Sequence, residues 1–256
     1  QWEQAMRRAA RKEVLKPWRP QRDALVLLGD LTEVADAESF AVVRERALAL
    51  GVPVMAVPGN CDVDPDGRAL TAFEEIVGDR LAISPDLRLL PGGGRMELVH
   101  LAAEPGSKRL RGVRPSLDGF PSEFQLVLTH YPLLALEPEL TAAGFRHSGD
   151  LTNRAEIEGE LRALDLPVVV VHGHLHIHDA CTSGALLHLS CGPLIEAPHL
   201  VSVIAIEQDE RRIAVRRWAH AVRQDAIDRL PVFAPFDQEW SWDGTRWSVL
   251  PPTLPS

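Results

Sequence analysis

The sequence predicts an α/β protein, because short apolar runs alternate along the chain with longer amphipathic segments. A run of β-branched and other apolar residues shows no polar face to water and is typical of a buried strand. Four such runs predict buried strands at 24–28, 52–57, 124–128 and 168–171. Apolar residues at helical spacing predict helices at 2–16, 38–50 and 154–164.

Length, charge and cysteine content narrow the class of protein. The chain has 256 residues, which is enough for one α/β domain. Its net charge of −9 argues against an extended nucleic-acid surface, and no apolar run is long enough for a membrane span. Three cysteines, Cys61, Cys181 and Cys191, form no even disulfide framework and favour a reducing compartment. We therefore expect a cytoplasmic protein without an extended nucleic-acid surface or a membrane span.

The C-terminal third is predicted to be mostly β-structure. Apolar runs predict strands at 186–189, 201–206 and 211–218, and residues 239–250 read as a hairpin that turns at Asp243-Gly244. The alternating Trp240, Trp242 and Trp247 are expected to cover an exposed sheet face. We place the main domain at 1–222 and treat 223–256 as an extension packed on it. Segments 104–119 and 133–153 are expected to be a solvated connection and an irregular stretch.

A histidine-rich stretch follows the strand at 168–171. In His172-Gly173-His174-Leu175-His176, Gly173 permits a sharp turn, and alternate residues of an extended segment point the same way. His174 and His176 can therefore present imidazole nitrogens, the commonest metal ligands, to one place. The alternative is an ordinary surface loop. His172 and His178 are expected to be structural. His178 could also contact a metal ligand without binding the metal itself.

Three further strands each end in a short loop that carries a polar donor. Asp30 follows the first strand, Asn60 the second and His130 the third. Two of them have plainer alternatives, since Asp30 could begin the next helix as its N-cap and Asn60 could form an Asx turn. Cys61 is not the nucleophile of a C-x5-R phosphate loop, because Gly67 stands where that motif needs arginine.

These loops are expected to converge, because ligands of open α/β folds bind at the carboxyl ends of strands. The donors are oxygen and nitrogen atoms with no thiolate required. That chemistry suits two divalent ions, Mn, Fe or Zn, in a two-metal hydrolytic site.

In chain order, GDLTE, PGNCD, THYP and GHLH resemble the motifs of the calcineurin-like metallophosphoesterase superfamily, in its bacterial phosphodiesterase-like branch. The resemblance covers about residues 1–220. It implies an α/β/β/α sandwich of two packed mixed β-sheets flanked by helices. It also implies hydrolysis of a phosphate ester by hydroxide bound to metal, with a phosphodiester or nucleotide as the expected small-molecule substrate.

The resemblance assigns a role to each loop residue. Asp30 would bridge two metals, Asn60, His130 and His174 would complete one of them, and His176 would bind the other. The family's opening strand ends in Asp-x-His, and no such motif precedes Asp30 here. We expect that strand to lie before Gln1 in the natural protein.

The missing Asp-x-His motif is one departure from the family pattern, and Cys61 is a second. The resemblance assigns a catalytic role to Cys61 and Asp62. The family's usual residue at position 61 is a histidine that stabilises charge or protonates the leaving group, oriented by the acid at position 62. A thiol is a poorer proton donor and carries no positive charge. We therefore expect a preference for diesters with good leaving groups.

Two competing interpretations remain open at this point. His174-Leu175-His176-Ile177-His178-Asp179 resembles the H-x-H-x-D-H motif of metallo-β-lactamase-like hydrolases, but its last two residues are swapped and Asp30 and Asn60 stay unexplained. The other is a catalytically impaired scaffold on the same fold that binds a partner, since a fold does not determine function.

Overall fold

The computed structural model describes residues 24–49, 53–63, 72–73, 87–90, 93–104, 109–115, 122–144, 149–194, 199–209, 212–221, 235 and 237–251. Within these ranges the helices are α1 (Ala37–Leu48), α2 (Glu137–Ala142) and α3 (Arg154–Arg162), and Asn60–Asp62 form one 3-10 turn. The strands are β1 (Leu25–Leu27), β2 (Val54–Ala56), β3 (Leu87–Leu89), β4 (Gly94–Leu98), β5 (His100–Ala103), β6 (Leu110–Val113), β7 (Phe124–Thr129), β8 (Val168–His172), β9 (Asp179–Ser183), β10 (Leu186–Ser190), β11 (Leu200–Gln208), β12 (Ile213–Ala221), β13 (Asp237–Trp242) and β14 (Trp247–Leu250).

A six-stranded sheet with the order β3-β4-β7-β8-β10-β9 is the centre of the described structure. Its inner strands β4, β7, β8 and β10 are parallel, and its edge strands β3 and β9 are antiparallel to their neighbours. A parallel pair, β1-β2, and an antiparallel sheet, β11-β12-β13-β14, accompany it, and β5-β6 form a small antiparallel pair. Parallel strands are normally covered on both faces, which fits the apolar character of β7 and β8.

The valine run of β8 shows why this sheet needs two layers around it. All five residues of β8 are buried. Val169 and Val171 join a core with β1, β2 and the four-stranded sheet, whereas Val168 and Val170 join a second core with α2 and α3. Apolar side chains on both faces therefore place one core between the sheets and the other under the helices. This α/β arrangement confirms the predicted fold class.

The tryptophan hairpin is present, but the expected environment of its aromatic side chains is wrong. β13 pairs with β12, so the hairpin extends the four-stranded sheet. Trp240 and Trp247 are only 1% and 4% exposed and belong to the core between the sheets. The sheet face that they cover is thus the internal one. The proposed boundary at 222–223 lies outside the described residues.

Two stretches without a clear pattern contain regular structure. The segment 104–119, expected to be a solvated connection, includes β6 and Arg114, whose guanidinium pairs with the buried Glu97 at 2.8 Å. The segment 133–153, expected to be irregular, includes α2. The expected helix at 2–16 lies outside the described residues, and no described helix is long and apolar enough to cross a membrane.

The N-cap of α1 decides one of the alternatives for Asp30. The carboxylate of Asp36, six residues later, accepts the Ser39 N–H at 2.8 Å and the Ser39 hydroxyl at 2.7 Å. This is the usual way in which a side chain satisfies the first N–H groups of a helix. Asp30 is therefore available for another role.

The buried His188 should make folding stability depend on pH. Burial lowers the pKa of His188 to about 3, and its Nε2 accepts the Leu133 N–H at 3.0 Å. Below pH 6.5 the unfolded chain takes up a proton that the folded chain does not, so stability is lost as the pH falls, by at most about 1.4 kcal/mol per pH unit. Urea unfolding of His188→Gln should show a shallower loss of unfolding free energy between pH 6.5 and 4.5 than the parent. Parallel curves would contradict this assignment.

Candidate functional site

Four loops that follow parallel strands carry the polar donors. Asp30 follows β1, Asn60 follows β2, His130 follows β7, and His174 lies two residues beyond β8. β1 and β2 are parallel and adjacent, as are β7 and β8, so within each pair the two loops leave the same edge. The structure brings these four predicted residues together.

His130 is the centre of the cluster. Its Nε2 lies 3.2 Å from the amide oxygen of Asn60, 3.4 Å from Oδ1 of Asp30 and 3.2 Å from Nδ1 of His174. Its other ring nitrogen, Nδ1, lies 2.6 Å from the carbonyl oxygen of Leu28. A carbonyl can only accept, so Nδ1 carries a proton and Nε2 is the atom turned toward the other donors.

The atoms around His130 Nε2 are mostly acceptors. A carboxylate oxygen and an amide oxygen carry lone pairs and no hydrogen. Their close approach to a ring nitrogen requires either a proton or a cation among them, and a cation can satisfy all of these atoms together. Two nitrogen or oxygen ligands of one tetrahedral zinc-type ion stand about 3.3 Å apart, and the three distances to His130 Nε2 are close to that value.

The types of donor therefore suit a divalent cation, and the close contacts are pairwise ones to His130 Nε2. Within the described ranges, His, Cys, Asp and Glu side chains form no group of three or more that could hold a metal ion. His176 is exposed and lies two residues beyond His174 on the same loop. It is the outlying member of the five predicted ligands.

The backbone is strained at three of the predicted ligands. Asp30, His174 and His176 have φ angles of 51°, 62° and 54°, in the left-handed region that non-glycine residues seldom adopt. Such a conformation costs about 1–2 kcal/mol per residue and persists where the surrounding structure enforces it. Strain of this kind is concentrated at functional sites.

Two glycines allow the loops to meet. A Cβ on Gly29 would lie 2.4 Å from Nδ1 of His130, and a Cβ on Gly59 would lie 2.1 Å from the backbone nitrogen and 2.2 Å from Oδ1 of Asp30. No side chain fits at these distances. Gly29 also has a φ of 88°, so it combines close approach with a conformation that favours glycine.

The side chain of Asp62 joins the loops that follow β1 and β2. The side chain is fully buried; its Oδ2 accepts N–H groups from Leu31 at 3.0 Å and Gly59 at 2.9 Å, and its Oδ1 accepts from Thr32 at 3.0 Å. Burial raises the pKa of the Asp62 carboxyl, and these N–H groups oppose that shift. Asp62 was expected to orient the side chain at position 61; these contacts make it a positioning residue for the backbone of both loops.

The charge of Asp30 is maintained by its neighbours. Burial raises the pKa of its carboxyl, but the neighbouring His130 ring and the N–H of Cys61, 2.9 Å from Oδ1, outweigh burial and lower the pKa to about 2. Asp30 is therefore an anion throughout the physiological range. A negative oxygen beside His130 is what a cation site requires.

Cys61 is an exposed neutral thiol at the edge of the cluster. Desolvation and then the negative charge of Asp30 raise its pKa to about 11. The amide nitrogen of Asn60 lies 3.4 Å from its sulfur. A thiol with this pKa is neither a nucleophilic thiolate nor a cationic proton donor at neutral pH.

Tyr131 belongs to the site and was missed from sequence. Its ring centroid lies 3.9 Å from that of His174, and its hydroxyl lies 3.4 Å from the amide oxygen of Asn60. Burial and the charge of Asp30 raise its pKa to about 12, so the phenol stays neutral. Its position directly after His130 in THYP was the available signal.

The other histidines near these strands are structural. His172 and His178 are fully buried, and burial lowers the pKa of each, that of His178 to about 4 with a further effect from the charge of Arg217. The imidazole rings of His172 and His188 stack at 4.5 Å. This burial agrees with the expected structural role of His172 and His178.

These strand-end Asp, Asn and His side chains lie on an α/β fold whose sequence matches a family of hydrolases, the phosphoesterases. The model of the family described as calcineurin-like phosphoesterase matches residues 2–178. The chain belongs to the calcineurin-like phosphoesterase family. The match ends at His178 and spans all four loop motifs.

The solved structures that match this chain include two with low sequence identity. The protein TT1561 of Thermus thermophilus has 15% identity and a TM-score of 0.48, over 87% of this chain and 93% of that one. A conserved uncharacterized protein of Streptococcus pneumoniae, described as a predicted phosphoesterase, has 15% identity and a TM-score of 0.31, over 86% and 97%. No curated protein matches in sequence.

The close approach at Gly59 predicts a steric effect with a matched control. Gly59→Ala needs no unusual backbone angle, since φ there is −99°, but its methyl group would collide with Asp30. We expect a loss of about 1–3 kcal/mol in unfolding free energy. Gly159→Ala, in α3 with nothing within 4 Å, should be neutral or stabilising by up to about 1 kcal/mol. Equal chemical denaturation midpoints for the two variants would contradict the contact.

Proposed function

We propose that this phosphoesterase is a metal-dependent phosphodiesterase that uses two divalent ions, Mn, Fe or Zn. The observation that supports this proposal is the convergence of Asp30, Asn60 and His174 on Nε2 of His130. In this proposal those four residues would hold one ion, and Asp30 and His176 would contribute to the site of a second. Ions held there would activate a water molecule and offset the charge of the phosphoryl oxygens.

The residues of the chain contribute orientation and charge. The carbonyl of Leu28 holds the His130 ring in the tautomer that presents Nε2. Asp62 holds the loops of β1 and β2 through their N–H groups, so Asp30 and Asn60 are brought to one place. Asp30 supplies a carboxylate that stays ionised.

The proposed preference for diesters comes from the thiol of Cys61. A monoester with an alkyl leaving group needs a proton donor as the bond to phosphorus breaks. A neutral thiol with a pKa of about 11 donates poorly and adds no positive charge. A diester with a good leaving group, such as an aryl oxide, needs less help. We propose a small phosphodiester or nucleotide as the substrate, in the cytoplasm, and the net charge of −9 disfavours extended nucleic acid.

Removal of the proposed ligands should abolish the reaction. In Asp30→Ala and His174→Ala, we expect Mn²⁺-dependent hydrolysis of an aryl phosphodiester to fall by at least about a hundredfold, because the cation loses a ligand. The matched control is Asp36→Ala, which removes the N-cap of α1 at a cost of about 1 kcal/mol but leaves the cluster intact. Steady-state kcat and KM against Mn²⁺ concentration give the comparison.

Each result has a clear meaning. Turnover by Asp30→Ala equal to that of the parent would refute the proposed site. A parent that binds Mn²⁺ at Asp30 but hydrolyses no phosphate ester would favour the alternative of a partner-binding scaffold.

Replacement of the thiol tests the substrate preference. Cys61→His restores a group that can be protonated near neutral pH, so kcat/KM for an alkyl monophosphate should rise about tenfold or more relative to an aryl diester. Cys61→Ser, which also lacks a positive charge, should keep the ratio of the parent. An unchanged ratio in Cys61→His would show that this position does not determine the preference.

A further inference from the structure

The loop that carries His174 and His176 is held at both ends by the end of β10. At its start, the N–H of Cys191 donates to the His172 carbonyl at 2.8 Å. At its end, the hydroxyl of Ser190 donates to the Ile177 carbonyl at 3.1 Å. Two successive residues, the last of β10 and the one that follows it, thus fix the entry and the exit of a short loop.

Arg217 adds a second hydrogen bond near the end of the loop. It lies on β12 in the four-stranded sheet, and its Nη1 donates to the carbonyls of Asp179 at 2.6 Å and Ser190 at 3.2 Å. The guanidinium therefore links Asp179, which follows the loop, to Ser190 at the end of β10. This contact spans from one sheet to the other.

Arg217 is a buried cation with few hydrogen-bond partners, which is an unusual environment for a guanidinium group. Its side chain is fully buried and lies over the ring of Trp240 at 5.6 Å. Within the described residues, its Nε and Nη2 have no hydrogen-bond partner. A buried cation is costly unless it is paired. Here one hydrogen bond goes to the carbonyl of Asp179, just after the loop, and the other to the carbonyl of Ser190, at the end of β10.

The strained backbone of the loop indicates what the hydrogen bonds from Ser190 and Arg217 do. His174 and His176 both adopt left-handed backbone angles between the two fixed points. Such angles persist only where the surroundings enforce them. We infer that Ser190 and Arg217 are positioning residues that hold the His174–His176 loop in its metal-binding conformation, an inference that rests on the proposed metal-dependent function.

The test compares metal affinity with stability in matched pairs of variants. Ser190→Ala removes the hydroxyl-to-carbonyl bond at the loop, and Ser122→Ala removes an equivalent bond to the Phe124 carbonyl where β7 begins. Arg217→Met removes the buried guanidinium at the loop. Arg114→Met removes one that pairs with Glu97 and Glu160 instead.

The readouts are Mn²⁺ affinity by calorimetry and the melting temperature without metal. We expect Ser190→Ala and Arg217→Met to bind Mn²⁺ about tenfold or more weakly than the parent, as for other groups that orient metal ligands. The two controls should stay within about twofold. Because the ligands themselves are intact, kcat of Ser190→Ala on an aryl phosphodiester should recover at saturating Mn²⁺, which a general loss of folded protein would not allow.

The outcomes separate this inference from the proposed function. Parent-like Mn²⁺ affinity in Ser190→Ala, with the parent binding Mn²⁺ and Asp30→Ala not, would overturn the positioning role alone. This comparison stands even if Arg217→Met does not fold. A parent that binds no Mn²⁺, or an Asp30→Ala variant that binds it equally well, would overturn both proposals.

Discussion

The hydrogen bond between the His130 ring and the Leu28 carbonyl is the contact on which the site depends. It joins the end of β7 in the large sheet to the end of β1 in the separate parallel pair. It also determines which ring nitrogen carries the proton, so Nε2 faces Asp30 and Asn60. Gly29 makes room for it, since any side chain there would meet the ring. This one hydrogen bond therefore both connects two sheets and orients the His130 ring in the site.

The parts of the fold that the sequence predicted are those with a local cause. The valines of β8 have no polar face, so a doubly covered strand follows from composition alone. The pairing of Arg114 with Glu97 joins residues 17 positions apart, and the chain around Arg114 looks like a loop when it is read alone. Trp240 alternates as a surface strand would, and only its packing between sheets shows which face is internal.

The convergence of the strand-end loops was predictable from the sequence, but the individual contacts within the cluster were not. Strand ends with polar donors identify Asp30, Asn60, His130 and His174, because parallel strands bring their ends to one edge. Asp62 lies in the predicted PGNCD motif, but its carboxylate oxygens accept three backbone N–H groups. The position of Asp62 in the sequence does not show whether its carboxylate contacts the backbone or a side chain. Ser190 and Arg217 act on backbone carbonyls, a contact that leaves no pattern in the sequence.

The raised pKa of Cys61 has a consequence for the durability of the protein. With a pKa of about 11, only about one Cys61 in ten thousand is a thiolate at pH 7. Peroxides and alkylating agents react with the thiolate, and an exposed cysteine is normally their first target. Desolvation and then the negative charge of Asp30 keep this sulfur a neutral thiol, so without a bound cation it should react slowly with such reagents.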